Sequence, residues 1–158
     1  LYLRAMDPER FHAVAAPYIR KSVENPAIDT ALVAPLLQAR LETLNEIPEK
    51  VDFFEALPEY DTALYANKKS KTDEDSSLEL LKAYLPVLEK LEHDGLYNSM
   101  VEYAAAHEMK NAKLMWPVRI ATAGKAVTPG GAVEICQILG KEETLRRIRV
   151  GIEKLENR

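Results

Sequence analysis

Apolar residues recur at three- and four-residue spacing along most of this chain. Phe11, Val14, Ala15, Tyr18 and Ile19 form a first stripe, opened by Asp7 as cap and Pro8 at the first turn. Asn25-Pro26 breaks it. Asp29 caps a second helix carrying Leu32, Leu36, Leu37, Leu41 and Leu44, and Pro35 either kinks that helix or marks its start. Arg40 lies off the Leu line and is expected to face outward. Ile47-Pro48-Glu49 opens a short helix that ends in Val51-Asp52-Phe53-Phe54, with the Phe pair in the core. Residues 58–76 are polar apart from Leu64-Tyr65. The clearest helix covers 77–92, with Asp75 and Ser76 as candidate caps, Glu79 completing a capping box, and Leu78, Leu81, Leu85, Leu88 and Leu91 as its stripe. Pro86 should bend it, and Asp94-Gly95 ends it. An alanine-rich helix follows over 97–109. The last helix, 142–156, turns Leu145, Ile148, Ile152 and Leu155 inward and spreads Arg146, Arg147 and Arg149 over its outer side. No stretch alternates strictly enough to predict a sheet. The expected fold is all-α: a helical bundle or cage of two small helical subdomains, 1–52 and 53–158, with no sizeable sheet.

The stretch 114–131 is the densest run of backbone punctuation. Pro117 suits the first position of a short helix and Gly124 the position just past its end. Thr128 then offers a cap to a second helix, with Pro129 at its first turn, and Gly130-Gly131 leave the backbone approachable. Among these marks stands Arg119, between Val118 and Ile120. A guanidinium tethered by two apolar neighbours presents a rigid fork of donors, suited to a base edge or a phosphate.

Composition changes little in this picture. At 158 residues, 47% hydrophobic and 29% charged, the chain has the makings of a globular core, and no apolar run approaches the ~20 residues of a membrane span. No signal peptide is visible, and the start without Met suggests a piece of a longer protein. The single cysteine, Cys136, excludes an internal disulfide and is expected as a small buried side chain in a helix over 132–139. The net charge of −4 argues weakly against nucleic acid, but its distribution is uneven. Residues 110–158 hold ten Lys and Arg against five Glu, a net of +5, on a body of net −9. His12, His93 and His107 lack metal spacing and read as helix-surface residues. No phosphate-binding Gly-rich loop and no nucleophile elbow is present, so no catalytic, cofactor or metal residues are assigned.

Several pieces, in order, carry a resemblance. Arg40-Leu-Glu-Thr-Leu, Tyr65-Ala-Asn-Lys-Lys-Ser-Lys-Thr-Asp, Trp116-Pro-Val-Arg-Ile-Ala-Thr-Ala-Gly, Thr128-Pro-Gly-Gly and Leu139-Gly-Lys-Glu-Glu-Thr-Leu-Arg-Arg resemble the anticodon-binding end of bacterial glutamyl-tRNA synthetases. The resemblance covers nearly all of the chain. It implies a tRNA(Glu)-binding part of a cytoplasmic, monomeric class I ligase, whose catalytic domain, with its ATP and Mg, is not in this sequence. It implies no DNA and no membrane partner. Lys68-Lys69-Ser70-Lys71 is similar to the Lys-Met-Ser-Lys-Ser loop that such enzymes place near ATP. That reading is set aside, because no glycine or catalytic context follows and the place in the order matches a lysine-rich segment of the helical part.

The resemblance implies roles residue by residue. Arg119 matches an arginine that contacts the first anticodon base. Arg40 matches one that favours C over G at the third base, separating glutamate from glutamine tRNAs. Thr128, Pro129, Gly130 and Gly131 form the accompanying loop, one residue longer than the family's usual form, so its base-packing apolar residue is not assigned to Ala132. A basic position that some members carry before Met109 has no match; Val101 and Glu102 stand nearby. Lys125, Arg146 and Arg149 are candidate phosphate contacts. Without the resemblance, composition leaves a second reading open: a helical protein–protein interaction or regulatory domain, with the Arg-rich helix as its docking face.

Overall fold

The computed structural model describes residues 2–92 and 94–158; His93 lies outside the described residues. The chain is all-α: α1 (Tyr2–Ala5), α2 (Pro8–Arg20), α3 (Thr30–Gln38), α4 (Ile47–Val51), α5 (Glu74–Lys90), α6 (Leu96–Ala106), α7 (Asn111–Ala123), α8 (Ala132–Leu139) and α9 (Lys141–Glu156). Among the described residues, β-pairing is confined to one isolated bridge, Asn67 with Thr72. The backbone divides into two compact units, Leu1–Leu57 with Val127–Gly130, and Pro58–Ala126 with Gly131–Arg158.

The first unit packs α2 against α3 and α4. Phe11, Ala15 and Ile19 of α2 meet a core completed by Val33, Leu37, Ile47, Val51, Phe53 and Phe54, all buried. The Phe53 and Phe54 rings lie 4.2 Å apart between centroids. Both belong to this unit, whose first segment extends to Leu57. Asp7 stands at the cap position of α2 with Pro8 in its first turn, but its side chain makes no capping hydrogen bond; the Asp29 side chain, by contrast, accepts from the Ala31 N–H at 2.9 Å to cap α3. α3 starts at Thr30 with Pro35 inside it and ends at Gln38, short of Leu41 and Leu44. Leu41 is buried all the same. It is reached through a turn rather than a helical face, which is why the Leu spacing overextended the helix.

The second unit packs α5, α7, α8 and α9 together, with α6 against α7. α5 begins one turn earlier than its apolar pattern, because Asp73 rather than Asp75 or Ser76 caps it. Asp73 accepts from the Ser76 N–H at 2.7 Å, and Ser76 Oγ accepts from the Asp73 N–H at 3.0 Å. Its buried face is Ser77, Leu80, Leu81, Tyr84 and Leu88, leaving Leu78, Leu85 and Leu91 at the edge of the core. The rotation admits the Tyr84 ring, whose hydroxyl pairs with Ser99 Oγ at 2.9 Å. α6 stops at Ala106 rather than 109. Glu108 takes a left-handed φ of 55°, the Glu108 N–H reaches Ala105 O and the Met109 N–H reaches Ala104 O, which together terminate a helix. Cys136 is buried in α8 as expected, and burial pushes its thiol up to about 12.

Candidate functional site

Arg119 sits in the body of α7, not one turn into a new helix. α7 starts at Asn111 and runs through Pro117, because Leu114, Val118 and Ala121 form a buried stripe that outweighs the donor Pro lacks. Gly124 ends the helix as expected, at φ 66°, its N–H on Ile120 O at 2.8 Å. A β-carbon there would meet Pro58 and Tyr60 side-chain atoms at 3.0 Å, so glycine is required twice over. The Arg119 guanidinium is half-buried, donates from Nη2 to Ala126 O at 2.7 Å, and lies 4.7 Å from the Trp116 ring centroid. Trp116 is itself fixed by donating Nε1–H to Leu64 O at 2.9 Å. Burial lowers the Arg119 pKa from the usual guanidinium value, and a group of that basicity stays charged. Thr122 Oγ1 bonds back to Val118 O at 2.8 Å and Arg119 O at 3.3 Å, tying down the backbone under the fork.

The expected cap at Thr128-Pro129 is not what starts α8. Thr128 Oγ1 donates to Gly130 O at 2.8 Å, closing the loop on itself. Gly131 occupies the cap position, and its N–H is taken by Glu134 Oε1 at 3.0 Å. The acidic residue in the first turn thus does the capping, a signal present in Gly131-Ala-Val-Glu134. Gly130 has φ 94°, and a β-carbon on it would lie 3.0 Å from Leu36 Cδ1. Within the first unit the same Leu36 offers its carbonyl to Arg40 Nη1 at 2.9 Å. Arg40 is exposed, as expected, in the turn just past α3. One residue therefore buttresses two of the candidate positions, Arg40 and Gly130. Val127, at the head of this loop, is 85% exposed.

The candidate phosphate contacts fare differently. Arg146 binds Glu143 through two hydrogen bonds of 2.8 Å, and Arg149 binds Glu89 at 2.9 Å. Lys125 is half-buried one residue beyond Gly124. Arg147, expected on the outer side of the last helix, is fully buried. Its Nε donates to Glu143 Oε2 and its Nη1 to Thr122 O, each at 2.7 Å. It faces inward because Gly151, one turn on, lets α9 approach closely: a β-carbon there would stand 3.1 Å from Ala121 Cβ of α7. His12 bonds Thr30 Oγ1 at 2.8 Å, and His107 stacks on Tyr103 at 4.0 Å.

A family model described as anticodon binding domain matches residues 10–152. The chain belongs to that family. The glutamate–tRNA ligase of Clostridium tetani is 48% identical over 99% of this anticodon-binding chain, and that of Clostridium acetobutylicum 43% identical over 98%. The chain spans about a third of those relatives, 32% and 33% of their lengths. A crystal structure of a glutamate tRNA ligase from Elizabethkingia meningosepticum, in complex with its amino acid, superposes over 98% of the chain and 30% of its own. Its TM-score is 0.74 and its identity 24%, a likeness of fold. The family match decides between the two readings of the sequence for the RNA-binding one. No helix among the described residues is long and apolar enough to cross a membrane.

Two residues of this arrangement went unassigned in the sequence. Trp116 precedes Arg119 by three, the spacing at which helix side chains meet, so the stacked pair was there to be read. Leu36 carried no such signal, because its link to Gly130 spans chain segments far apart in sequence.

Proposed function

We propose that this domain reads the anticodon of tRNA(Glu) for a glutamate–tRNA ligase, whose catalytic part, outside this chain, attaches glutamate using ATP and Mg. The observation that carries this is the match over nearly the whole chain to relatives of that name, at 43–48% identity. In this reading the ligase works as a monomer in the cytoplasm and engages neither DNA nor membrane. An anticodon loop splays its bases, and arginine forks, aromatic faces and bare backbone take up their edges. Arg119, held on Trp116 and Ala126 O, meets the first anticodon base with its fork already oriented. Arg40 meets the third. Thr128, Pro129, Gly130 and Gly131 bring backbone close to the loop, and Lys125, Arg146 and Arg149 supply charge to phosphates. For Arg146 and Arg149 that contribution competes with Glu143 and Glu89.

The test is binding of the chain to tRNA(Glu) and to the same tRNA with a replaced first anticodon base. Arg119→Ala should weaken binding to the cognate tRNA by about ten- to hundredfold and abolish the preference at that base. Arg149→Ala, which removes a charge already paired with Glu89, should have a smaller, base-independent effect. Equal losses for the two variants would reduce Arg119 to part of a positive surface.

A further inference from the structure

We infer that a groove in the second unit, lined by Lys69, Lys71, Lys110 and Lys113, grips backbone phosphates of the bound tRNA; this rests on the anticodon-reading function just proposed. The groove has a volume of about 300 Å³ and also carries Ser70 and Glu108. It brings together two segments distant in sequence. Lys69 and Lys71 come from the turn that follows Tyr65, and Lys110 and Lys113 from the entry to α7. None of these four ammonium groups has an ion pair among the described residues, whereas Lys82, Arg146, Arg149 and Lys154 each face a carboxylate. Four like charges line the groove, against Glu108 in its lining and Asp73, which acts electrostatically on Lys113; the excess positive charge repels itself, and a polyanion relieves that repulsion. Lysine is a point charge that grips phosphate without reading a base, which suits a contact that sets position.

The turn that forms one wall is held by its own hydrogen bonds. The turn is closed by Asn67 N–H on Thr72 O at 3.0 Å and Thr72 N–H on Asn67 O at 3.1 Å. Thr72 Oγ1 anchors it to Tyr65 O at 2.8 Å, and the Ser70 N–H is held by Asn67 Oδ1 at 2.8 Å. Among the described residues, the two non-glycine positions at positive φ are Lys71 (58°) and Glu108 (55°), and both line this groove. A left-handed backbone at a long side chain is strained, and here each such residue sets the direction of a wall. The groove thus gives the lysine-rich turn a role that needs no ATP.

Affinity for tRNA(Glu) measured against salt concentration tests this. Lys69→Gln/Lys71→Gln and Lys110→Gln/Lys113→Gln should each weaken binding and flatten the plot of log affinity against log salt, by about one in slope per lysine removed. Glu108→Gln should tighten binding. Lys82→Gln, the loss of a lysine elsewhere, should leave the slope as it is, and circular dichroism melts should show every variant folded. Slopes unchanged in both lysine pairs, with Arg119→Ala still weakening binding, would overturn the groove and leave the anticodon reading intact. Failure of the unaltered chain to bind tRNA would overturn both.

Discussion

Arg147 and Glu143 allow a prediction about size as well as sign. Glu143→Ala leaves a fully buried guanidinium without its carboxylate, and breaking a buried pair in that way costs about 3–5 kcal/mol. Arg147→Met removes the charge itself and refills most of the volume with an apolar side chain. Glu143, a third exposed, then still has Arg146, so the main loss is the donor to Thr122 O. That carbonyl lies in the last turn of α7, where helix geometry leaves carbonyls without an intrahelical donor, and leaving it unpaired costs about 1–3 kcal/mol. Glu143→Ala should therefore destabilise more than Arg147→Met, and the double variant should be no worse than Glu143→Ala alone. The single tryptophan, Trp116, sits on α7, so its fluorescence in a urea titration reports the unit concerned. Equal losses, or a larger one for Arg147→Met, would refute the account of a buried charge that depends on Glu143. The pH dependence follows from the same pair. The Arg146 hydrogen bonds, with Arg147, hold the Glu143 carboxyl at about 2, below its ordinary 4.5, against the opposing effect of burial. A depressed folded-state pKa adds stability above pH 4.5 that is lost as pH falls towards 2. Glu143→Ala should show a shallower decline across that window.

Three other substitutions test separate parts of the molecule. Gly151→Ala gains about 1 kcal/mol of helix propensity, yet its β-carbon would stand 2.6 Å from Tyr65 Oη, a buried hydroxyl paired with Tyr60. The overpacking costs about 1–3 kcal/mol, so the urea midpoint should fall, and a rise would show that the tyrosine pair yields. Gly130→Ala forces a side chain into φ 94° against Leu36, and should weaken tRNA binding and destabilise the first unit; an unchanged affinity would remove this loop from the interface. Arg40→Gln, placed in a full-length ligase, should raise charging of a tRNA ending its anticodon in G relative to one ending in C. Cytosine offers acceptors at O2 and N3 to a group that only donates, while guanine presents donors at N1 and N2 that Arg leaves unpaired and Gln can accept. A ratio of kcat/KM values that stays put while both rates fall would make Arg40 a purely structural contact.

The helices were legible where pattern and punctuation agreed. Asp7-Pro8, Asp29 and Gly124 marked true ends, and Cys136 was buried in α8 as its apolar neighbours implied. The errors arose where distant contacts overrode local signals. Pro117 is a favoured start residue, but the α7 stripe packs from Leu114 onward and carries the helix through it. Leu41 continues a helical period yet is buried from a turn. Arg147 was placed outside because charge on an amphipathic helix normally faces water. Nothing local announces that Gly151 lets α9 settle against α7, or that a carbonyl waits there. Arg119 and Arg40 are candidates by motif rather than by period, and neither Leu36 nor the lysine groove can be read from one segment, since each joins parts of the chain far apart.

The end of α7 shows why those distant contacts matter to the site. A helix terminus leaves carbonyls in want of donors, and a side chain borne on a fraying turn would lose its orientation. Here Thr122 O takes the buried Arg147, Ile120 O takes the Gly124 N–H, and Val118 O and Arg119 O both receive Thr122 Oγ1. The backbone of Arg119 is therefore held while Trp116 and Ala126 hold its side chain. Ordering a free arginine on binding costs about 0.5–1.5 kcal/mol, and in the proposed contact to the first anticodon base the folded chain would already have met that cost. A fork fixed in this way also discriminates better, since it cannot swing to satisfy a wrong base. Loosening α7 by Arg147→Met should thus erode base preference at the first anticodon position even though Arg147 is buried away from solvent. A variant that loses stability but keeps the full preference would show that Trp116 and Ala126 orient Arg119 without help from the helix end.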